Sequence, residues 1–209
     1  MEWRITMKMS KVLLFLLVTG GIFVMPGCRK PNATTGSQPP EEPVVLRPQE
    51  TDNWCWAATT QMITEFLGHG RKQCDLANQL FSRSDCCKDE PNDSTCRKTN
   101  NCNMPGRMMF NESNFDATPS PTPLPWDSIK NQIDSAKKPM SYAFGPKSGG
   151  VGHVVVINGY SEADGIRWVI IVDPWEPCDG ATSAITFEEY SNSGGTDHWE
   201  TNYNINWKG

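Results

Sequence analysis

Apolar residues between positions 54 and 67 recur one helical repeat apart, at Ala58, Met62 and Phe66. Thr51, Asp52 and Asn53 stand ahead of this stripe as cap residues, and Gly68 and Gly70 follow it. The pattern predicts a helix over Trp54–Leu67, and Leu76 and Leu80, one turn apart, predict a second over Cys74–Phe81. Residues 82–118 are polar, cysteine-rich and aperiodic, which reads as an irregular insertion held by disulfides rather than by a core. Thr118–Pro125 interleaves prolines and reads as an extended connector. Trp126, Ile129, Ile133 and Ala136 share one face of a third helix, Trp126–Lys137, which Pro139 stops. Strand patterns then take over, at Met140–Phe144, His153–Tyr160, Ile166–Asp173, Ala184–Phe187 and His198–Trp207. Thr186 and Glu189 have the spacing of a capping box for a short helical turn. Helices first and an antiparallel sheet afterwards make an α+β layout.

The first residues have a different character. Arg4, Lys8 and Lys11 precede an apolar run from Val12 to Met25, shorter than a membrane span and suited to a signal-peptide core. It ends in Met25-Pro26-Gly27-Cys28, which resembles a lipoprotein signal with Cys28 as the lipidated new N-terminus. Residues 29–45, rich in Thr, Ser, Gly, Pro and Glu, read as a flexible tether. A single domain is expected over residues 46–209, about 160 residues, enough for a real core. Without residues 1–27 the chain carries 16 basic and 23 acidic residues, a net charge of −7, against −5 for the whole. No basic patch interleaved with aromatics is present, so nucleic-acid binding is not expected. The expected setting is the bacterial cell envelope, with a lipid anchor as the only membrane contact and a monomeric protein.

Eight cysteines are present. With Cys28 assigned to lipidation and Cys55 to chemistry, Cys74, Cys86, Cys87, Cys96, Cys102 and Cys178 remain, an even set that suggests disulfides in an exported protein. Zinc is the rival for the Cys74–Cys102 group, but no C-x-x-C pair occurs there and adjacent Cys86 and Cys87 suit tetrahedral chelation badly. No metal and no cofactor is expected.

The chemistry centres on Gln49-Glu-Thr-Asp-Asn-Trp54-Cys55-Trp56. Cys55 opens a predicted helix, where the positive field favours a thiolate. Gln49 can donate to the oxyanion that thiolate attack on a carbonyl creates, together with the backbone N–H of Cys55. Further along, two apolar strands flank Ser161–Gly165, a polar loop with an Asp-Gly turn signal. A hairpin centred on Ala163 sets Tyr160 against Ile166, Val156 against Ile170 and His153 against Asp173. Directly opposed side chains lie about 5 Å apart at Cβ, so imidazole and carboxylate can hydrogen-bond. His153 then serves as the acid–base partner of Cys55, with Asp173 fixing its tautomer. Taken singly, each of these residues has a plainer reading: a buried thiol, a core histidine, a strand-ending turn. Their joint placement carries the case. His69 and His198 lack such company and are expected at the surface.

This arrangement resembles the papain-like cysteine peptidases, in a compact bacterial form. That family has a glutamine six residues before the nucleophile, as Gln49 precedes Cys55, and a Trp after it, as Trp56 does. A small residue commonly precedes its histidine, as Gly152 precedes His153. Its Asn-x-Trp motif is matched by Asp173-Pro174-Trp175, with Asp in place of Asn, and the resemblance gives Trp175 the role of shielding the His–Asp contact. The implied activity is hydrolysis of peptide bonds in a peptide or protein substrate through an acyl-enzyme. The alternatives are a catalytically silent binding module at the cell envelope and a cell-wall amidase. The intact residue set argues against the first. For the second, the usual Asp-Cys-Ser/Gly motif is missing.

Overall fold

A computed structural model describes residues 43–88, 101–191 and 196–209. The signal peptide, Cys28, most of the tether and Cys96 fall outside these residues. Four helices are described: α1 (Cys55–Phe66), α2 (Gln73–Phe81), α3 (Trp126–Asp134) and α4 (Phe187–Tyr190). Six strands accompany them: β1 (Phe115–Ser120), β2 (Met140–Pro146), β3 (His153–Ala163), β4 (Ile166–Asp173), β5 (Ala181–Thr186) and β6 (Thr196–Trp207). They form one sheet in the order β1-β6-β2-β3-β4-β5, and every pairing is antiparallel. The α+β layout read from the sequence is the one observed.

Alternation along β3 divides its side chains between two cores. Val155 and Ile157 join Ile129 and Ile133 of α3, with Tyr142 and Tyr190. Val156 joins Met62 and Ile63 of α1, with Val172 and Ile205. The sheet is therefore covered on both faces, and each fully buried Val or Ile contributes about 1.5–3 kcal/mol. A charge at Val156 would break the seam between α1 and the sheet. Val44, at the end of the stretch read as a tether, is buried in this same core.

Three local readings are corrected. The insertion does take part in a core: Cys86, Cys102 and Met109 pack with Trp54, Trp56 and Leu76 of the helical region. Phe115–Ser120 is a strand paired with β6, where Pro119 is tolerated because β1 lies at the sheet edge. His198 is buried, stacked on Tyr142 and edge-on to Tyr190, because it occupies an inward position of β6. His69, by contrast, is exposed and stacks on Trp207. The capping box at Thr186 and Glu189 is present at α4.

Candidate functional site

The N-terminus of α1 is not capped as expected. Trp54 is the cap residue and makes no side-chain cap bond, and no acidic residue occupies the first turn. Thr51, Asp52 and Asn53 all precede the cap position, and the buried Thr51 hydroxyl has no hydrogen-bond partner among the described residues. The amide of Gln49 donates to the carbonyls of Thr51 and Asp52, 2.8 Å each. The backbone N–H of Asn53 donates to Asn103 Oδ1 at 2.9 Å. The first N–H groups of a helix lack intrahelical partners, so α1 presents an un-neutralised positive end at Cys55.

Cys55 is half-buried and is the one free cysteine among the described residues. Cys74 pairs with Cys87 and Cys86 with Cys102, as expected of disulfides rather than a zinc cluster. Cys178 is also disulfide-bonded. One turn into α1, the buried Thr59 hydroxyl donates to the carbonyl of Val154 at 3.1 Å. That bond fixes the helix against the start of β3 and so brings Cys55 to His153. Nothing in the periodicity of the helix singled out Thr59.

His153 and Asp173 meet by a different register from the one expected. At the turn Ala163, not Tyr160, faces Ile166, a displacement of three positions. The turn residues are Asp164 and Gly165, both with positive φ (53° and 77°), as a tight two-residue hairpin requires. An odd displacement would put His153 and Asp173 on opposite faces. A bulge between Ile157 and Gly159 absorbs Asn158, so that Val156 faces Val172, a displacement of two. The shared face is restored, and the two side chains meet diagonally. The imidazole Nε2–H donates to Asp173 Oδ1 at 2.6 Å. The same oxygen accepts the backbone N–H of Trp175 at 2.8 Å, which holds the carboxylate in place.

The Cys55 sulfur lies close enough to the imidazole to help raise its pKa. With Nε2 committed to Asp173, Nδ1 is the ring nitrogen left for the sulfur. Burial pulls the His153 pKa down, but the hydrogen bonds and charges of Asp173 and Cys55 outweigh it and push it up to about 9. At neutral pH the ring is therefore cationic, between a sulfur and a carboxylate.

These groups line a cleft of about 810 Å³. Pro105–Met108 of the insertion form one wall, and Gly150–Val154, Trp175 and Trp199 line it on the side of His153. Trp56 is buried beneath the first wall, its indole N–H donating to Met104 O at 3.4 Å. Trp175 reaches the cleft and is 46% exposed. Gln49 does not line the cleft. It is fully buried under the 51–54 loop, and its Oε1 finds no hydrogen-bond partner among the described residues. Its backbone joins the two halves of the site, since its N–H donates to Pro174 O at 3.0 Å and its carbonyl accepts from Cys178 at 3.3 Å.

A thiol at an uncapped helix start, a cationic imidazole against it and a carboxylate behind the imidazole can together perform nucleophilic attack and proton transfer. No curated protein matches the chain. The sequence does match the Peptidase_C39-like family over residues 41–204, which takes in the whole site. The chain belongs to the Peptidase_C39-like family and has the α+β fold of the papain-like cysteine peptidases.

Proposed function

We propose that this protein is a thiol peptidase whose catalytic groups are Cys55, His153 and Asp173. The observation that carries the reading is the alignment of Cys55, His153 and Asp173 in one cleft, with the imidazole held in one orientation by the 2.6 Å bond to Asp173. The Cys55 thiolate attacks the carbonyl carbon of the substrate, and the electron pair moves to the carbonyl oxygen. As the C–N bond breaks, His153 passes its proton to the leaving nitrogen. A thioester with Cys55 remains. Water then attacks it while His153 takes a proton from that water, and the carboxylic acid departs as the thiolate is regenerated.

The oxyanion is met by the backbone N–H of Cys55 at the uncapped end of α1. Gln49, the donor expected from the family pattern, completes this hole. In the resting geometry its amide clamps the carbonyls of Thr51 and Asp52, and direct donation requires release of one clamp. The reading extends to location: an exported enzyme, lipid-anchored through Cys28, in keeping with its disulfides. Mass spectrometry of the mature N-terminus tests that part, and an unmodified N-terminus away from Cys28 removes it.

For the activity, a peptide library is incubated with wild type and Cys55→Ala, and the wild-type enzyme is quenched early for intact mass. Cleavage that needs Cys55, with a transient acyl adduct on it, is expected. Peptide binding without cleavage would favour the silent binding module instead.

A further inference from the structure

Two adjacent threonines, Thr59 and Thr60, sit in the middle of α1, and both are fully buried. Threonine is a weak helix former, and burying a hydroxyl is unfavourable unless it finds a hydrogen-bond partner. Valine would fill the same space without that demand, so packing alone does not call for threonine. The partners of the two hydroxyls differ. Thr59 Oγ1 donates out of the helix, to the carbonyl of Val154 at 3.1 Å. Thr60 Oγ1 donates to the carbonyl of Trp56 at 2.8 Å, the usual back-bond of a helical threonine. It also accepts the backbone N–H of Met109 at 3.3 Å, a contact outside the helix.

Side chains four residues apart lie one above the other on a helix. Cys55 and Thr59 therefore share the face turned to β3. Trp56 and Thr60 share the neighbouring face, turned to the insertion. Val154 directly follows His153, and the β3–β4 ladder does not extend past Val156 toward it, so this segment has a strand beside it only in β2. The Thr59 bond ties it to α1, on the face that carries the thiol. On the other side of the cleft, the wall Pro105–Met108 is pinned to α1 at both ends. Met104 O accepts the Trp56 indole N–H at 3.4 Å, and the Met109 N–H is held by Thr60. Met109 is itself buried in one cluster with Trp56 and Leu76.

We infer that Thr59 and Thr60 are positioning residues with separate tasks. Thr59 holds the His153 segment at working distance from the Cys55 thiol. Thr60 holds the Pro105–Met108 wall in place, and on the peptidase reading, which this second task presupposes, that wall seats the substrate. Two neighbouring hydroxyls on one helix thus fix the two sides of the cleft independently.

Wild type is compared with Thr59→Val, Thr60→Val and the serine variants Thr59→Ser and Thr60→Ser. Three readouts are taken: the rate of Cys55 alkylation by iodoacetamide at neutral pH, kcat and KM on one peptide that wild type cleaves, and amide hydrogen exchange of residues 104–110 by mass spectrometry. Thr59→Val is expected to slow alkylation and lower kcat by about tenfold or more, with KM little changed, because a displacement of about 1 Å at the reacting groups can cost about 100-fold. Thr60→Val is expected to raise KM about fivefold or more and to speed exchange across 104–110 about tenfold, with alkylation within about twofold of wild type. Serine keeps each hydroxyl and should return every readout close to wild type. Where a valine variant does not fold, the alanine variant at that position takes its place with the same expected split. Equal slowing of alkylation by the changes at 59 and 60 overturns the division of tasks, as do serine variants no better than valine. Unchanged alkylation in Thr59→Val removes the first task, and unchanged exchange in Thr60→Val removes the second. Cleavage of no peptide by wild type sinks the peptidase reading, and alkylation and exchange then still decide whether the two hydroxyls hold separate walls.

Discussion

Asp173→Ala removes the acceptor behind His153, and its consequence can be worked from the geometry. The imidazole stands at about 9 rather than 6.5, against a burial effect that acts in the opposite direction. The gap corresponds to about 3 kcal/mol in favour of the cationic ring, shared between Asp173 and Cys55. A close opposite charge typically accounts for about 1–3 pH units of such a shift. Asp173→Ala should therefore bring the alkaline limb of the activity profile down from about 9 toward neutrality. Asp173→Asn separates charge from orientation, since its Oδ1 can still accept from both His153 and Trp175. It should show a lowered limb like Ala but retain much more of the plateau rate. Stability should follow with the same sign. Because the folded pKa lies above the unfolded one, the His153 contribution is complete below 6.5 and is lost as pH rises through about 9. The assay is kcat/KM and the iodoacetamide rate at Cys55 from acid to alkaline pH for the three proteins, with denaturant unfolding at both ends. An alkaline limb that stays at about 9 in Asp173→Ala refutes this reasoning.

Gln49→Ala should leave the carbonyls of Thr51 and Asp52 without their donors, costing about 1–3 kcal/mol in denaturant unfolding. It should also lower kcat about 100-fold, and unchanged kcat would remove Gln49 from the oxyanion machinery. Gly106→Ala should cost about 1–3 kcal/mol by overpacking, because its Cβ would lie 2.3 Å from Trp56 Cε2 and 2.7 Å from Leu80 Cδ2; thermal melting checks it. Replacing Cys86 and Cys102 together by serine should cost about 3 kcal/mol and slow alkylation of Cys55. The slowing follows because Cys102 O holds the Trp54 indole at 2.8 Å and Asn103 holds Asn53, both next to the nucleophile.

The parts of this protein that could be read along the chain are those set by local pattern. The Ala58, Met62, Phe66 stripe gave α1 within a residue at each end, and Asp164-Gly165 marked the hairpin turn. Counting cysteines left Cys55 unpaired, as it is. What escaped depends on contacts made across the fold. The bulge at Asn158 decides whether His153 and Asp173 share a face, and alternation alone carries no mark of it. The cap residues before Cys55 were misassigned because the helix starts one residue later, with Trp54 at the cap position, and Asn53 is held by Asn103, 50 residues away in sequence. Residues 101–118 looked coreless because the short run Met108-Met109-Phe110 and the single Phe115 show no periodicity and meet apolar partners only after folding.

The central claim is that His153 makes Cys55 a nucleophile. The direct measurement is the rate at which iodoacetamide alkylates Cys55 at neutral pH, followed by intact mass, in wild type and in His153→Ala. The account predicts rapid labelling at Cys55 alone in wild type, and labelling no faster than a simple thiol in His153→Ala. Equal rates in the two proteins, or a Cys55 found in a disulfide, would contradict it.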